Sequence, residues 1–364
     1  MCKVEREKNS KIAKEEFLET RKKEENKKYH FPLRSCVWEI TLKCCFACQY
    51  CGSKAGKARK NELTTEECLN VVKQLSDMGC ERVSLIGGEV FLRTDWYTIV
   101  KALTDRKIKV AVITNGFCFT DELIAEIKKS GIESIAISID GPEKIHDTYR
   151  QKGSFQKAMK AMESFISNEI PVSVISTLHS KNISYLDEMY DILKNRKIFA
   201  WQLQACSPMG NAIENELLTK IDFRKVIRFV EKHYTDSDFT IGVADNIGYY
   251  TETEGYIRGN RNGAGYFMGC QAGLTCIGID SVGNVRGCES MYDEKFIEGN
   301  LREKSLYTIW NDSNAFAYNR QFTLEQLSGS CSRCSNKKHC SGGCRSYNYF
   351  TTGKLYESSH CARF

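Results

Sequence analysis

The chain has 364 residues, 41% of them hydrophobic, so it is long enough for a large core and a smaller second domain. It has no apolar run of about eighteen residues, and its charged N-terminus lacks the apolar core of a secretory signal. The net charge of +6 is modest, and no basic stripe with interleaved aromatics indicates nucleic-acid binding. These features predict a cytoplasmic protein without membrane or nucleic-acid partners, whose eighteen reduced cysteines indicate metal or cluster binding rather than disulfides.

The first predicted elements are a charged segment and a barrel-like domain. Residues 1–34 are dense in Lys, Arg and Glu, which predicts a solvated helix or a flexible arm. Over residues 35–235 six strands are predicted, at 37–41, 82–86, 109–114, 134–139, 172–177 and 200–203. Helices are predicted between them, at 65–77, 121–129, 155–168 and 185–194. This alternation indicates an α/β fold, and six strands favour a partial (β/α)6 TIM-type barrel over a closed one of eight.

The pattern changes after residue 235. Residues 236–269 are predicted to form a linker with a glycine-rich loop at 255–266. Residues 270–364 hold eight cysteines in short irregular segments, which predicts a small irregular C-terminal domain held together by clusters. Polar and glycine residues collect at the carboxyl ends of the predicted barrel strands, where barrel enzymes carry their chemistry, although turns place such residues there too.

The first cysteine group has the spacing Cys44-x3-Cys48-x2-Cys51 and follows a predicted strand. Three thiolates leave one iron of a [4Fe–4S] cluster open for a non-protein ligand, because such clusters normally take four cysteines. Zinc binding or chance clustering is the alternative. The segment Thr41-Leu-Lys-Cys-Cys-Phe-Ala-Cys-Gln-Tyr-Cys51 resembles the motif of radical S-adenosylmethionine (SAM) enzymes, in which the open iron chelates the amino and carboxylate groups of SAM. Cys45 has the wrong spacing and is interpreted as a non-ligand.

The resemblance covers about residues 36–229 and implies contacts to SAM. Gly87-Gly88-Glu89 resembles the glycine–glycine–glutamate motif that holds the SAM amino group, although Val90 stands where proline is usual. Arg150 resembles the arginine that pairs with the SAM carboxylate, a role that suits a forked donor. Further contacts are implied for Tyr50, Asn115, Ser138, Asp140 and Thr177. Each residue alone has a structural alternative, as a loop acid, a turn former or a surface charge.

The C-terminal cysteines resemble the SPASM domain, which carries two auxiliary [4Fe–4S] clusters. The resemblance implies that the first takes Cys270, Cys276, Cys288 and Cys344. It implies that the second takes Cys331, Cys334, Cys340 and Cys361. Taken alone, the spacings Cys331-x2-Cys334 and Cys340-x3-Cys344 also suit tetrahedral zinc.

The resemblance implies a radical mechanism with three [4Fe–4S] clusters. An electron from a donor such as flavodoxin or ferredoxin cleaves SAM, and the resulting 5′-deoxyadenosyl radical abstracts hydrogen from an unactivated carbon. Fully ligated auxiliary clusters would accept the substrate electron and make the reaction oxidative. Glu289 stands where sulfatase-maturating relatives have a catalytic aspartate, so it is a candidate base, with a surface or supporting acid as the alternative. Cys206 follows the sixth strand and is a candidate hydrogen donor or a packing thiol.

The segments 201–204, 208–211 and 286–290 look most like those of maturases of ribosomally made peptides. The predicted function is therefore oxidative crosslinking, as a thioether or a carbon–carbon bond, in a precursor peptide. The short N-terminal segment leaves no room for a leader-binding domain, so a separate leader-binding protein or the loop 255–266 is expected to serve. The alternatives are a formylglycine-generating sulfatase maturase, a peptide epimerase or excision enzyme, and an electron-transfer iron–sulfur protein without SAM chemistry.

Overall fold

The computed structural model describes residues 31–117, 119–212, 216–251, 254–258 and 266–363. Residues 1–30 of the predicted charged arm and residues 259–265 of the predicted glycine-rich loop lie outside the described residues. Across the ranges that are described, no helix combines the length and the apolar character needed to cross a membrane.

Seven parallel strands within the described residues lie side by side in chain order. Six of them confirm the predicted strands: β1 (Ser35–Thr41), β2 (Arg82–Gly87), β3 (Lys109–Thr114), β4 (Ser134–Ser138), β5 (Val172–Leu178) and β6 (Ala200–Ala205). The seventh, β7 (Thr240–Val243), pairs with β6 inside the segment predicted as a linker. Its four residues, one of them Gly242, are too few to give a recognisable alternation. On the β6 side, the parallel sheet therefore continues one strand beyond the six that the sequence predicts.

Helices connect the strands, as a parallel sheet requires. They are α1 (Thr65–Asp77), α2 (Trp96–Asp105), α3 (Asp121–Ser130), α4 (Glu143–Tyr149), α5 (Ser154–Ser167), α6 (Leu186–Leu193) and α7 (Lys220–His233). The helices α1, α3, α5 and α6 confirm the predicted ones, whereas α2, α4 and α7 were not predicted. The run Thr98-Ile-Val100 in α2 is β-branched and typical of strands, and α4 has only 7 residues.

Side chains of the barrel strands alternate between two environments, as the pleat of a strand dictates. Trp38 and Leu203 belong to the apolar core. Their neighbours Glu39 and Gln204 line a cavity on the opposite face of the sheet. The strands thus carry a packed outer layer and an inner face on which polar groups meet.

The C-terminal region continues the same sheet. Strand β8 (Cys276–Ile279) pairs in parallel with β1, and β9 (Asn284–Arg286) and β10 (Gly299–Asn300) follow it in antiparallel pairs. The remaining helices are short: α8 (Glu254–Ile257), α9 (Leu306–Trp310), α10 (Ala317–Arg320), α11 (Gly329–Ser332), α12 (Lys337–Cys340) and α13 (Arg345–Thr352). The sheet therefore runs unbroken from the barrel into the cysteine-rich region.

Candidate active site

A cavity of about 460 Å³ lies at the carboxyl ends of β1 to β6. Its volume is in the range of ~300–1,000 Å³ that is usual for small-molecule sites. Three predicted groups of residues line it: Cys44, Cys48 and Cys51; Tyr50, Gly87, Gly88, Asn115, Ser138, Arg150 and Thr177; and Cys206, Cys288 and Glu289. The fold therefore brings the first cysteine group, most of the predicted SAM contacts and one auxiliary cysteine into a single chamber.

The loop that carries the first three cysteines is closed by backbone hydrogen bonds. The N–H of Cys44 donates to the carbonyl of Gly56 (2.9 Å), and the N–H of Gly56 donates to the carbonyl of Leu42 (3.0 Å). The carboxylate of Glu62 accepts from the N–H of Leu42 at 2.7 Å and from the hydroxyl of Thr41 at 2.9 Å. These bonds anchor the loop to the end of β1.

Hydrogen-bond donors point at the sulfur atoms of this loop. The N–H of Phe46 donates to Cys44 Sγ (3.4 Å), and the N–H of Ala55 donates to Cys51 Sγ (3.3 Å). The thiol of Cys45 donates to Cys44 and so lowers the pKa of Cys44, although burial opposes this effect. Burial raises the pKa of Cys48 to about 11. Donors that favour a thiolate suit a cluster ligand. Cys45 does not line the cavity, and its thiol donates a hydrogen bond to Cys44 instead.

The two glycines at the end of β2 allow the chain to pass directly against this loop. A Cβ on Gly87 would lie 2.3 Å from the carbonyl oxygen of Thr41, and one on Gly88 would lie 2.2 Å from that of Lys43. The N–H of Gly88 donates to the carbonyl of Thr41 at 2.8 Å. Only glycine fits at either position, and the backbone of the pair becomes part of the cavity wall.

Glu89 is buried behind this wall. Its carboxylate accepts hydrogen bonds from the hydroxyl of Thr114 (2.8 and 2.9 Å) and from the N–H of Asn115 (2.9 Å). Burial raises the pKa of Glu89 to about 7, because these two partners only partly compensate for the lost water. A ligand ammonium group at this point would favour the ionised carboxylate.

Asp140 lies behind the cavity wall rather than on it. Its carboxylate accepts from Arg150 and from the hydroxyl of Tyr50, and it also accepts from the N–H of Thr177 at 2.7 Å. Although burial opposes ionisation, Arg150 lowers the pKa of Asp140. Asp140 thus orients Tyr50 and Arg150, which do line the cavity, whereas the sequence implied that it contacts SAM directly.

These residues fit SAM and a three-thiolate cluster by their chemistry. The cavity offers three thiols and a glycine wall that no Cβ could enter, and the carboxylate of Glu89 is buried behind that wall. Arg150 offers a cation for a carboxylate, and the ring of Tyr50 offers an aromatic face.

The four cysteines implied for the first auxiliary cluster come together from separate segments. Burial raises the pKa of Cys276 well above its usual value, and the nearby thiols of Cys288 and Cys270 raise it further. The pKa of Cys344 is likewise raised by burial and then by Cys270 and Cys288. Cys288 also lines the cavity, so this group of thiols borders the chamber that holds the first cysteine group.

The four cysteines implied for the second auxiliary cluster share a cavity of their own. Cys331, Cys334, Cys340 and Cys361 all line it.

Glu289 projects into the cavity from the segment after β9. It is 6% exposed, and neither carboxylate oxygen has a hydrogen-bond partner among the described residues. Burial raises its pKa well above the usual value, and nearby Glu39 raises it further, against the opposing effect of Arg286. A protonatable carboxyl group thus stands beside the auxiliary ligand Cys288.

Cys206 lies on the cavity wall after β6. It is 5% exposed, and burial raises its pKa to about 12, so the group is a neutral thiol. Its Sγ lies 3.8 Å from the carbonyl oxygen of Ser207.

Several residues that build the site were not predicted from the sequence. Arg59 bonds to Glu39 of β1 and also to the hydroxyls of Ser281 and Tyr292, which joins the cysteine loop to the C-terminal region. Asn211 donates its backbone N–H to the carbonyl of Cys51 at 2.9 Å and thereby braces the same loop. No local pattern marks the side chain of Arg59, because its partners Glu39, Ser281 and Tyr292 are all distant in sequence.

Comparison with known proteins identifies both parts of the chain. A family profile described as the Radical SAM superfamily matches residues 38–193. A second profile, the SPASM iron–sulfur cluster-binding domain, matches residues 270–335.

Three curated relatives align with most of the chain. AdoMet-dependent heme synthase from Methanosarcina barkeri is 26% identical, over 90% of this chain and 96% of its own length. Mycofactocin maturase MftC from Mycolicibacterium smegmatis is 29% identical, over 86% of this chain and 79% of its own. PqqA peptide cyclase from Rhizobium meliloti is 28% identical, over 86% of this chain and 82% of its own.

The fold matches a solved structure, Streptococcus suis SuiB bound to precursor peptide SuiA, with a TM-score of 0.73. The two chains are 19% identical, and the match covers 91% of this chain and 76% of SuiB. The predicted partial barrel and C-terminal domain are thereby confirmed. The radical SAM domain implies SAM with an iron–sulfur cluster, and the SPASM domain implies additional iron–sulfur clusters. The chain therefore carries a radical SAM domain followed by a C-terminal SPASM domain.

Proposed function

We propose that this enzyme matures a ribosomally made precursor peptide by oxidative crosslinking at a side-chain carbon. One observation carries the proposal: the first cysteine group, most of the residues implied to contact SAM, and the pair Cys288–Glu289 line the same cavity. A substrate group in that chamber would lie between the site of radical generation and a site that can remove an electron and a proton. Relatives named for peptide cyclisation and for mycofactocin maturation support a peptide substrate.

The three thiols Cys44, Cys48 and Cys51 would hold the SAM cluster, which supplies a 5′-deoxyadenosyl radical for hydrogen abstraction when SAM is bound and reduced. Glu89 would accept hydrogen bonds from the SAM ammonium, and Arg150 would pair with its carboxylate. Tyr50 would flank the adenine, and Asp140 would keep Tyr50 and Arg150 in place. Asn115, Ser138 and Thr177 complete the wall around the ligand.

Two auxiliary clusters would bring the number of [4Fe–4S] clusters to three. Cys270, Cys276, Cys288 and Cys344 would hold the first, and Cys331, Cys334, Cys340 and Cys361 would hold the second. Glu289 would take the proton that the substrate loses when its electron leaves, because its buried carboxylate faces the cavity without a partner among the described residues. Cys206 is a neutral thiol on the cavity wall, and it would donate a hydrogen atom only in the epimerase alternative; in oxidative crosslinking it would be a packing residue.

A small electron carrier such as flavodoxin or ferredoxin would supply the reducing electron. A separate leader-binding protein would present the peptide. The radical SAM relative named for heme synthesis makes a tetrapyrrole precursor the second candidate substrate, since the same cavity would serve any hydrogen abstraction that is followed by oxidation.

The test is the mass of a short peptide encoded beside the gene, after anaerobic co-expression with the enzyme in heavy water. Oxidative crosslinking predicts the loss of two hydrogens, which the Cys44→Ala variant abolishes. The gain of one deuterium would mean epimerisation and would turn attention to Cys206 as a hydrogen donor. An unchanged peptide, together with formation of heme from an added tetrapyrrole precursor, would replace the peptide by the second candidate substrate.

A further inference from the structure

Helix α10 is hydrogen-bonded to the loop that follows Cys270, the first of the auxiliary cysteines. The side chain of Asn319 donates hydrogen bonds to the carbonyls of Cys270 (3.2 Å) and Ala272 (2.8 Å). Arg320, the next residue, donates from Nε to the carbonyl of Gly273 at 2.8 Å. These bonds fix the position of Tyr318, the residue before Asn319, relative to the same loop.

The hydroxyl of Tyr318 is buried, and it has no hydrogen-bond partner among the described residues. Its oxygen lies so close to Gly287 that a Cβ on that glycine would stand 2.0 Å away. Gly287 directly precedes Cys288. A glycine at this position is therefore what lets the phenol reach the backbone beside an auxiliary cysteine.

Thiols of the first auxiliary group lie near this hydroxyl. Tyr318 packs against the same small apolar cluster as Cys270 and Cys288, and its hydroxyl lies against the backbone of Gly287, the residue before Cys288. A phenol is protonated at neutral pH and is therefore a hydrogen-bond donor. A buried donor is normally paired, so an unpaired one beside these cysteines points to an acceptor that the protein alone does not supply.

Another buried tyrosine near the same cysteines provides a contrast. The hydroxyl of Tyr249 donates to the carbonyl of Asp245 at 2.7 Å and accepts from the N–H of Cys344 at 3.0 Å. Its hydrogen bonds are complete within the protein. Tyr318 packs near the same cysteines, but its hydroxyl has no hydrogen-bond partner among the described residues.

We propose that Tyr318 donates an O–H···S hydrogen bond to the first auxiliary cluster and raises its reduction potential. This inference rests on the proposed function, because it requires a cluster on Cys270, Cys276, Cys288 and Cys344. A hydrogen bond to a cluster sulfur stabilises the reduced, more negative state, and such bonds are among the determinants of cluster potentials. The phenol would thus make this cluster a better acceptor for the substrate electron.

The test is a redox titration of Tyr318→Phe, followed by electron paramagnetic resonance of each reduced cluster. In Tyr318→Phe the reduction potential of the first auxiliary cluster should become more negative, while the potentials of the other two clusters stay unchanged. The control is Tyr307→Phe, at a side chain that is 66% exposed, and it should leave all three potentials unchanged. An unchanged potential in Tyr318→Phe would overturn the inference. Loss of that cluster's iron in the variant would also overturn it, since a tuning bond is not required for assembly.

A second readout uses the cluster-free protein. Tyr318→Phe should leave its urea midpoint unchanged or higher, because the hydroxyl has no protein partner to lose. A lower midpoint would show that the hydroxyl bonds to protein and would contradict the inference. If the wild type assembles no first auxiliary cluster at all, the proposed function fails, which is distinguishable from an unchanged potential in a loaded protein.

Discussion

The first cysteine loop and the first auxiliary site border the same cavity, but they are built in opposite ways. Cys44, Cys48 and Cys51 lie within eight residues of chain, and backbone hydrogen bonds close their loop locally. The auxiliary cysteines come from residues 270 to 344 and meet because β8 joins β1. The first site can therefore be identified from a motif, whereas assembly of the second depends on long-range packing. Mutations that weaken this packing should therefore disrupt the second site more than the first.

The largest expected effect is that of Cys44→Ala. Removing one of three ligands should abolish the SAM cluster and all peptide modification, and the protein should lose about four irons while the auxiliary clusters remain. Iron analysis and mass spectrometry of the peptide measure both. Retention of full iron would contradict the assignment of Cys44.

Cys344→Ala and Cys340→Ala test whether adjacent cysteines serve different clusters. Both variants should lose about four irons, but Cys344→Ala should remove the cluster beside the cavity and Cys340→Ala the outer one. Paramagnetic resonance distinguishes the two reduced signals. Loss of the same signal in both variants would show that the implied interleaving is wrong.

Arg59→Ala should weaken the junction between the two regions. It would leave Glu39, whose side chain is 1% exposed, buried without its cation, at a cost of about 3 kcal/mol in the free energy of unfolding. Urea unfolding of the cluster-free protein measures this loss. Lys73→Ala, which breaks an exposed pair with Asp77, is the control and should cost less than about 0.5 kcal/mol. Equal losses in the free energy of unfolding in the two variants would mean that Arg59 does not stabilise the junction between the cysteine loop and the C-terminal region.

Glu89→Gln should change how stability depends on pH. The pKa of Glu89 in the folded state is about 7, above the usual 4.5, so folding favours the protonated form. The wild type should therefore be destabilised as pH rises from 4.5 to 7, by about 2–3 kcal/mol in total. Urea unfolding of cluster-free protein at pH 5 and pH 8 should show this decline in the wild type and not in Glu89→Gln. Parallel pH profiles of the wild type and Glu89→Gln would show that the pKa of Glu89 is not raised in the folded protein.

The smallest expected effect is that of Cys45→Ala. This residue lies outside the cavity lining, so iron content and product yield should stay close to those of the wild type. The variant is the matched control for Cys44→Ala, one residue away. Loss of a cluster would make Cys45 a ligand.

The regular parts of the fold and the cysteine groups follow from local patterns. The strands β1 to β6 are apolar runs, and the capping box of Thr64 and Glu67 marks the start of α1. Helix α7 also begins at a capping box, formed by Thr219 and Asp222, which is a local pattern that could have predicted it. Two local patterns of the chain, the loop of three cysteines and the Gly87-Gly88 pair, correctly pointed to one cavity.

The contacts between distant segments could not be predicted in this way. Arg59 meets Ser281 and Tyr292 only after β8 has joined β1, and nothing in their sequence neighbourhoods indicates the pairing. Asp140 shows the same limit, because its position at a strand end does not reveal its hydrogen bonds to Tyr50 and Arg150, and its implied contact with SAM stays a prediction. Side-chain partners of this kind are set by tertiary packing, not by local propensity.

The most direct test of oxidative crosslinking is the stoichiometry of a single turnover. Enzyme with all clusters loaded would be reduced, mixed with SAM and peptide, and quenched, and 5′-deoxyadenosine and peptide mass would be measured together. Oxidative crosslinking predicts one 5′-deoxyadenosine for each peptide that has lost two hydrogens. Formation of 5′-deoxyadenosine without any change in peptide mass, or with the gain of one solvent hydrogen, would contradict oxidative crosslinking.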